Sequence, residues 1–251
     1  MSNGTNILTI QTGSSLYGTS VDTASDTDYM SIVVMPKDDV LGLSPFESRE
    51  SRTAGQGQRS GAGDIDHTYY SLRKFLGLAA KGNPSIVTPL YAPSDFVTET
   101  TIPGRLLMFT RKQFLSKQTG FRFLGYMRGQ RQRMIDSTAG IRAPRVNRPE
   151  LIEEYGYDTK YAAHMIRLGL SGIELMRDQW MTLPLRDEDR QRVLHVRNGH
   201  ALYADVLALA EDIAYELEVA VKASDLPDRT DSANIGRLSV QLHESAWQIA
   251  D

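Results

Sequence analysis

The spacing of apolar positions changes near residue 70. Before that point they cluster in short runs, and after it they recur every three or four residues. Residues 6–12, ending at Gly13, predict a first strand. The β-branched run over 29–35, closed by Pro36, predicts a second, and residues 66–70 a third. Between the first two strands, residues 14–27 are rich in Gly, Ser, Thr and Asp and read as a loop with one helical turn. Residues 49–63 carry almost no large apolar side chain and read as a flexible loop or hairpin tip.

From Ser71 onward the pattern is helical. Leu72, Phe75, Leu76 and Ala79 share one face of a helix over 71–81 that stops at Gly82, and Asn83-Pro84 starts the next. Further helices are predicted over about 103–118, 120–136, 158–177, 187–197, 203–222 and 231–249. The fold class is therefore α+β. A short mixed sheet with helices occupies residues 1–100, and a helical domain follows over 101–251, the break lying near 95–105.

Composition narrows the function classes. The 251 residues include no cysteine, which excludes a disulfide framework, a thiolate nucleophile and any sulfur-based zinc site. No apolar run approaches the ~20 residues of a membrane span, so no membrane partner is expected. The first residues lack a basic segment followed by an apolar one, and a cytoplasmic protein is the simplest expectation. The net charge of −3 decides nothing, but its distribution does. Residues 111–148 hold ten bases and one acid, a net +9, whereas residues 1–70 carry a net −5. An acidic segment ahead of a basic one fits a metal-type site beside a polyanion track. A solvated, arginine-rich helix face accounts for the basic stretch equally well.

The acidic segment holds a specific pattern. Gly13-Ser14 follows the first strand, and Asp26-x-Asp28 borders the second. Carboxylates at i and i+2 on extended chain point to one side of a sheet, where they can hold magnesium, which takes oxygen ligands. A glycine before a serine lets backbone N–H groups and a hydroxyl approach a phosphate closely. A third acid, Asp64 or Asp66, is available on the next strand. Two metals bridged by three carboxylates form the apparatus of in-line nucleotidyl transfer. Taken alone, Ser-Asp-Thr-Asp is also ordinary turn chemistry.

Gly13-Ser14 with Asp26-x-Asp28 resembles the signature of the DNA polymerase beta superfamily of nucleotidyltransferases. Several stretches are similar to its RNA-repair-linked branch: Gly13 to Gly18, Val40 to Leu43, Tyr70 to Phe75 with Lys81 to Pro84, Tyr155 to Lys160 with His164 to Leu168, and Val196 to Gly199. The resemblance implies a polymerase-beta-type palm carrying the carboxylate site, followed by a helical C-terminal domain. It implies a magnesium-dependent enzyme that moves a nucleoside monophosphate from an NTP such as ATP to an acceptor hydroxyl, releasing pyrophosphate. The family's third carboxylate falls in the strand before the helix that starts near Ser71, where Asp66 fits better than Asp64. Asp26, Asp28 and Asp66 are then the catalytic acids and the ligands of two Mg²⁺ ions. Gly13, Ser14 and Ser15 face the phosphates, Ser15 standing where the family often carries Arg or His.

Lys160, His164, Arg167, Ser171 and Glu174 form one polar stripe on a helix whose N-cap is Asp158. Lys160 and His164 are expected to face the triphosphate, the alternative being a solvated face. The other histidines show no metal-ligand spacing, and Trp180 and Trp247 read as core or interface. The acceptor expected from the basic stretch is a nucleic acid, RNA being favoured. Two rivals remain: nucleotidylation of a protein hydroxyl, and a non-catalytic RNA-binding module on the same fold.

Overall fold

A computed structural model describes residues 4–21, 26–43, 46–54, 63–141 and 148–250. Ser25 of the Asp-x-Asp stretch, Asp22, Arg59, Arg142, Arg145 and most of the loop expected over 49–63 lie outside the described residues. The chain divides into two compact units. The first comprises residues 1–115 and 229–251, the second residues 116–228.

The first unit is built on a five-stranded mixed sheet. Its strands are β1 (Thr5–Gln11), β2 (Thr27–Val34), β3 (Ser48–Arg52), β4 (Ile65–Ser71) and β5 (Val97–Thr100), in the order β3-β4-β2-β1-β5. β2 and β4 run parallel, and every other pair is antiparallel. Short helices α1 (Gly13–Tyr17) and α2 (Lys37–Leu41) follow β1 and β2. Helix α3 (Leu72–Ala80) follows β4, capped by the Ser71 hydroxyl, and buries the four apolar positions that its period predicts. Asn83 caps α4 (Pro84–Val87), with proline in the first turn.

The helix expected over 103–118 is interrupted. Helix α5 (Ile102–Phe109) ends at Thr110, whose hydroxyl donates to the carbonyls of Leu106 and Leu107. A 3₁₀ turn (Arg111–Phe114) follows. Ser116 then caps α6 (Lys117–Thr138) in a reciprocal pairing with Thr119. A buried serine that satisfies the first amides of the new helix sets its start at Lys117, three residues ahead of the start expected at 120.

The last helix, α11 (Ser232–Ala250), packs on α3, α5 and β1. The Trp247 indole N–H donates to the Met35 carbonyl at 2.8 Å, and the Thr230 hydroxyl donates to the Ala80 carbonyl at 2.9 Å. The first unit thus reaches past the expected break at residue 100 to Leu115, and it recovers the end of the chain.

The second unit is all helical, with α6, α7 (Pro149–Tyr155), α8 (Thr159–Asp178), α9 (Asp187–Arg197) and α10 (Tyr203–Ala223). Helix α8 is the central element, packed by α6, α10 and α9. A Cβ on Gly169 would lie 2.2 Å from Ile213 Cγ2 and 2.8 Å from Met127 Sδ, so only a missing side chain lets α6 and α10 come this close to α8. Among the described residues, no helix is long and apolar enough to cross a membrane.

Candidate active site

The sheet brings the predicted acids together through strand register. β2 and β4 are parallel and paired so that Asp28 sits opposite Asp66. Asp26 lies one residue before β2 and shares the parity of Asp28, so it faces the same side. Single carboxylate oxygens of Asp26, Asp28 and Asp66 all lie within 4.8 Å of one another, and all three residues are half-buried. This is the one such group of His, Cys, Asp or Glu among the described residues. Three hard oxygen donors at this spacing suit a divalent cation. Asp64 falls outside the group and accepts a hydrogen bond from the Thr53 hydroxyl at 2.9 Å, while its carbonyl accepts from the Thr27 amide.

Gly13 and Ser14 reach the same end of the sheet because β1 runs antiparallel to β2. The Thr12 amide donates to the Asp28 carbonyl at 2.8 Å. Gly13 has φ +71°, and a Cβ there would stand 2.1 Å from Asp28 Oδ2. Glycine is required twice over, by the left-handed backbone and by the carboxylate against it. The Ser14 hydroxyl lies 3.0 Å from the Ser20 hydroxyl, and that of Ser15 lies 3.4 Å from the same group. Gly18, also at positive φ, turns the chain so that the Thr19 amide returns to the Ser14 carbonyl.

Arg52 is a neighbour that sequence reasoning missed. It ends the edge strand β3, stands opposite Asp66 in the ladder, and places Nε 3.8 Å from Asp66 Oδ2. Its segment, Ser-Arg-Glu-Ser-Arg, is exposed at every position and offers no apolar alternation from which a strand could be read. The signal available was charge alone, a base set among acids.

Lys160 and His164 lie in the second unit, on α8. Asp158 is fully buried and caps that helix, accepting from the amides of Lys160 and Tyr161 at 3.0 Å. Its other oxygen binds Arg148 at 3.0 Å, and the Arg148 guanidinium lies over the Tyr161 ring. Lys160 is exposed in the first turn. His164 is half-buried, and its pKa is pushed down to about 3, first by burial and then by Arg167, Arg133, Arg148 and Lys160. It is a neutral imidazole at neutral pH, so it offers an anion a hydrogen bond and no charge.

That depression has a consequence for stability. Between pH 6.5 and about 3 the unfolded chain binds a proton at this position and the folded chain does not. The stability is complete above pH 6.5 and falls as the pH drops through that window. His164→Gln should flatten the fall, read as a smaller difference between urea midpoints at pH 7 and pH 5 than the parent protein shows.

The basic stretch over 111–148 is less bare than its count suggests. Arg128 pairs with Glu218, Arg131 with Glu211 at 3.1 Å, and Arg148 with Asp158. Arg111 lies over the Tyr91 ring and donates to the Met108 carbonyl. Lys112, Arg122 and Arg133 are exposed.

A family model described as RlaP, the RNA repair pathway DNA polymerase beta family, matches residues 3–241. The chain is also similar to an uncharacterised 38.9 kDa protein of enterobacteria phage T4, encoded in the nrdC–mobD intergenic region. The two are 33% identical over 120 residues, which is 47% of this chain and 35% of the phage protein. The match thus spans about a third of that relative's length.

Proposed function

Because the chain belongs to the RNA repair pathway DNA polymerase beta family, we propose that it is a nucleotidyltransferase. It moves a nucleoside monophosphate from an NTP, ATP being one candidate, to an acceptor hydroxyl and releases pyrophosphate. The observation that carries this reading is the convergence of Asp26, Asp28 and Asp66 beside the glycine turn at Gly13. Asp26 and Asp28 would hold two Mg²⁺ ions between them, and Asp66 would complete the site of one. Mg²⁺ bound there lowers the pKa of the acceptor hydroxyl and offsets charge on the phosphates. Gly13 keeps the backbone against Asp28, and Ser14 and Ser15 present hydroxyls to the β and γ phosphates. NTP and Mg²⁺ are both plentiful in the cytoplasm, which is where the reaction is placed.

A nucleic acid, and RNA first, is the acceptor this reading favours, on the strength of the exposed bases Lys112, Arg122 and Arg133. The test combines the protein with each α-labelled NTP, Mg²⁺ and either RNA, DNA or a protein lysate, and follows where the label goes. Label on RNA with release of pyrophosphate is the expected result. Label on protein would move the reading to nucleotidylation of a protein hydroxyl, and no transfer with any acceptor would leave a binding module.

The same acceptor assignment predicts a steep salt dependence. Affinity for RNA should fall with a log–log slope that reports several phosphate contacts. Arg122→Glu should reduce that slope by about 2, one contact removed and one repulsion added, and leave NTP affinity unchanged. Arg128 and Arg131 are poor sites for this experiment, since reversing them also breaks their pairs with Glu218 and Glu211.

A further inference from the structure

The two faces of the sheet in the first unit are unlike. Leu8, Ile10, Met30 and Ile32 share the parity of Asp28 and are buried, so the core lies on that side. The opposite side is polar and aromatic. It carries Thr9 on β1, Tyr29 and Ser31 on β2, His67 and Tyr69 on β4, and Arg49 on β3, each opposite another of the set in the ladder. Tyr29, His67 and Tyr69 are half-buried, and Arg49 is exposed. A sheet packed on one face and wet on the other needs polar groups on the wet side, but it does not need three rings there.

Hydroxyls beneath these rings fix their positions. The buried Ser31 hydroxyl lies 2.7 Å from that of Thr9 and 2.8 Å from His67 Nε2. His67 Nδ1 lies 3.1 Å from the Tyr69 hydroxyl. The His67 and Tyr69 rings are stacked, with centroids 4.1 Å apart and planes 17° apart, and the Tyr29 ring leans toward His67 at 5.6 Å. Burial holds the His67 pKa below its ordinary value, so the middle ring is a neutral imidazole at neutral pH. Sheet faces that take single-stranded nucleic acid use this arrangement, two or three rings on neighbouring strands each stacking one unpaired base. The guanidinium of Arg49 beside Tyr69 offers a partner for a phosphate. The rings also adjoin the acids, since Asp28 precedes Tyr29 and Asp66 precedes His67. A strand stacked here therefore runs to the end of the sheet where the carboxylates gather.

We propose that Tyr29, His67 and Tyr69, with Arg49 beside them, form a platform on which unpaired bases of a single-stranded nucleic acid stack, and that this platform holds the acceptor strand. That the strand is the acceptor rests on the nucleotidyl-transfer reading. The stacking itself does not, because it needs neither a divalent ion nor an NTP.

The experiment titrates the full chain, in EDTA and without NTP, into a fluorescently labelled single strand of about ten nucleotides and reads anisotropy. Saturable binding is expected, with the His67 ring resonances moved upfield in NMR spectra by the base stacked against them. A duplex of the same sequence should bind about tenfold more weakly or worse, since its bases are already stacked on one another. RNA and DNA strands of one sequence, compared side by side, identify which sugar the platform accepts. Tyr29→Leu with Tyr69→Leu removes two rings from a half-buried face and should weaken the single strand by about tenfold or more. Tyr29→Phe keeps its ring and should bind as the parent does, and circular dichroism checks that each variant folds. A folded leucine pair with unchanged affinity overturns the proposal. So does an abasic strand that binds the parent protein as tightly as the strand with bases, a result that needs no variant at all. Either outcome leaves the transfer reading standing, and loss of the transfer reading leaves the measured stacking as it is.

Discussion

Asp28→Asn should lower nucleotidyl transfer by about a thousandfold or more, a loss of roughly 4 kcal/mol of transition-state stabilisation. The amide fills the same space, so the strand ladder and the Thr12–Asp28 backbone bond are kept. What is lost is one of three charged donors at the centre of the cluster. Crowded carboxylates repel one another when no cation separates them. The metal-free variant should therefore be as stable as the parent or slightly more so, and it should lack the rise in melting temperature expected of the parent with Mg²⁺ or Mn²⁺. Melting curves with and without the ion, beside the transfer assay, separate damage to the site from damage to the fold. Transfer at the parental rate in Asp28→Asn would end the metal-assisted reading. Asp66→Asn should behave alike, whereas Asp64→Asn, whose carboxylate accepts from Thr53 outside the cluster, should retain most activity.

Asp158→Ala should have the largest effect on stability, about 3–5 kcal/mol by urea denaturation. The side chain is fully buried and serves three donors at once, two helix amides and the Arg148 guanidinium. Removing it uncaps α8, the central helix of its unit, and leaves the Arg148 guanidinium without its carboxylate. Asp158→Asn keeps an oxygen for the Lys160 and Tyr161 amides and should lose clearly less. Equal losses in the two variants would mean that the ion pair adds little beyond shape.

The contrast between Asp66 and Asp64 shows where sequence reasoning stops. Both acids lie on the same side of an extended chain, so parity cannot separate them. The distinction comes from register, since β2 and β4 pair with Asp28 opposite Asp66, and neither segment by itself encodes that alignment. The long helices α8 and α10 were readable because an apolar stripe recurs over more than five turns. Strand β3 was not, because its five residues are all exposed and polar and its pairing with β4 is carried by the backbone. The interruption between α5 and α6 was hidden for another reason. Apolar spacing continues through it, and the hydroxyls of Thr110 and Ser116 decide the break. Charge proved the least local property of all. The arginines at 128 and 131 read as bare along the chain, yet they meet acids some 80 to 90 residues further on.

The return of α11 to the first unit bears on how the protein is made. The strands that position the three aspartates are complete by residue 71, but the helix that covers part of their unit spans Ser232–Ala250. The segment over 116–228 is continuous, so it can fold independently of the first unit, which needs residues from both sides of it. A released chain truncated after residue 228 would then show protease-resistant helices around α8 and an unprotected sheet. Separate expression of residues 1–115 would fail for the same reason, and supplying residues 229–251 in trans, or splicing them ahead of residue 4 by a flexible linker, would restore it.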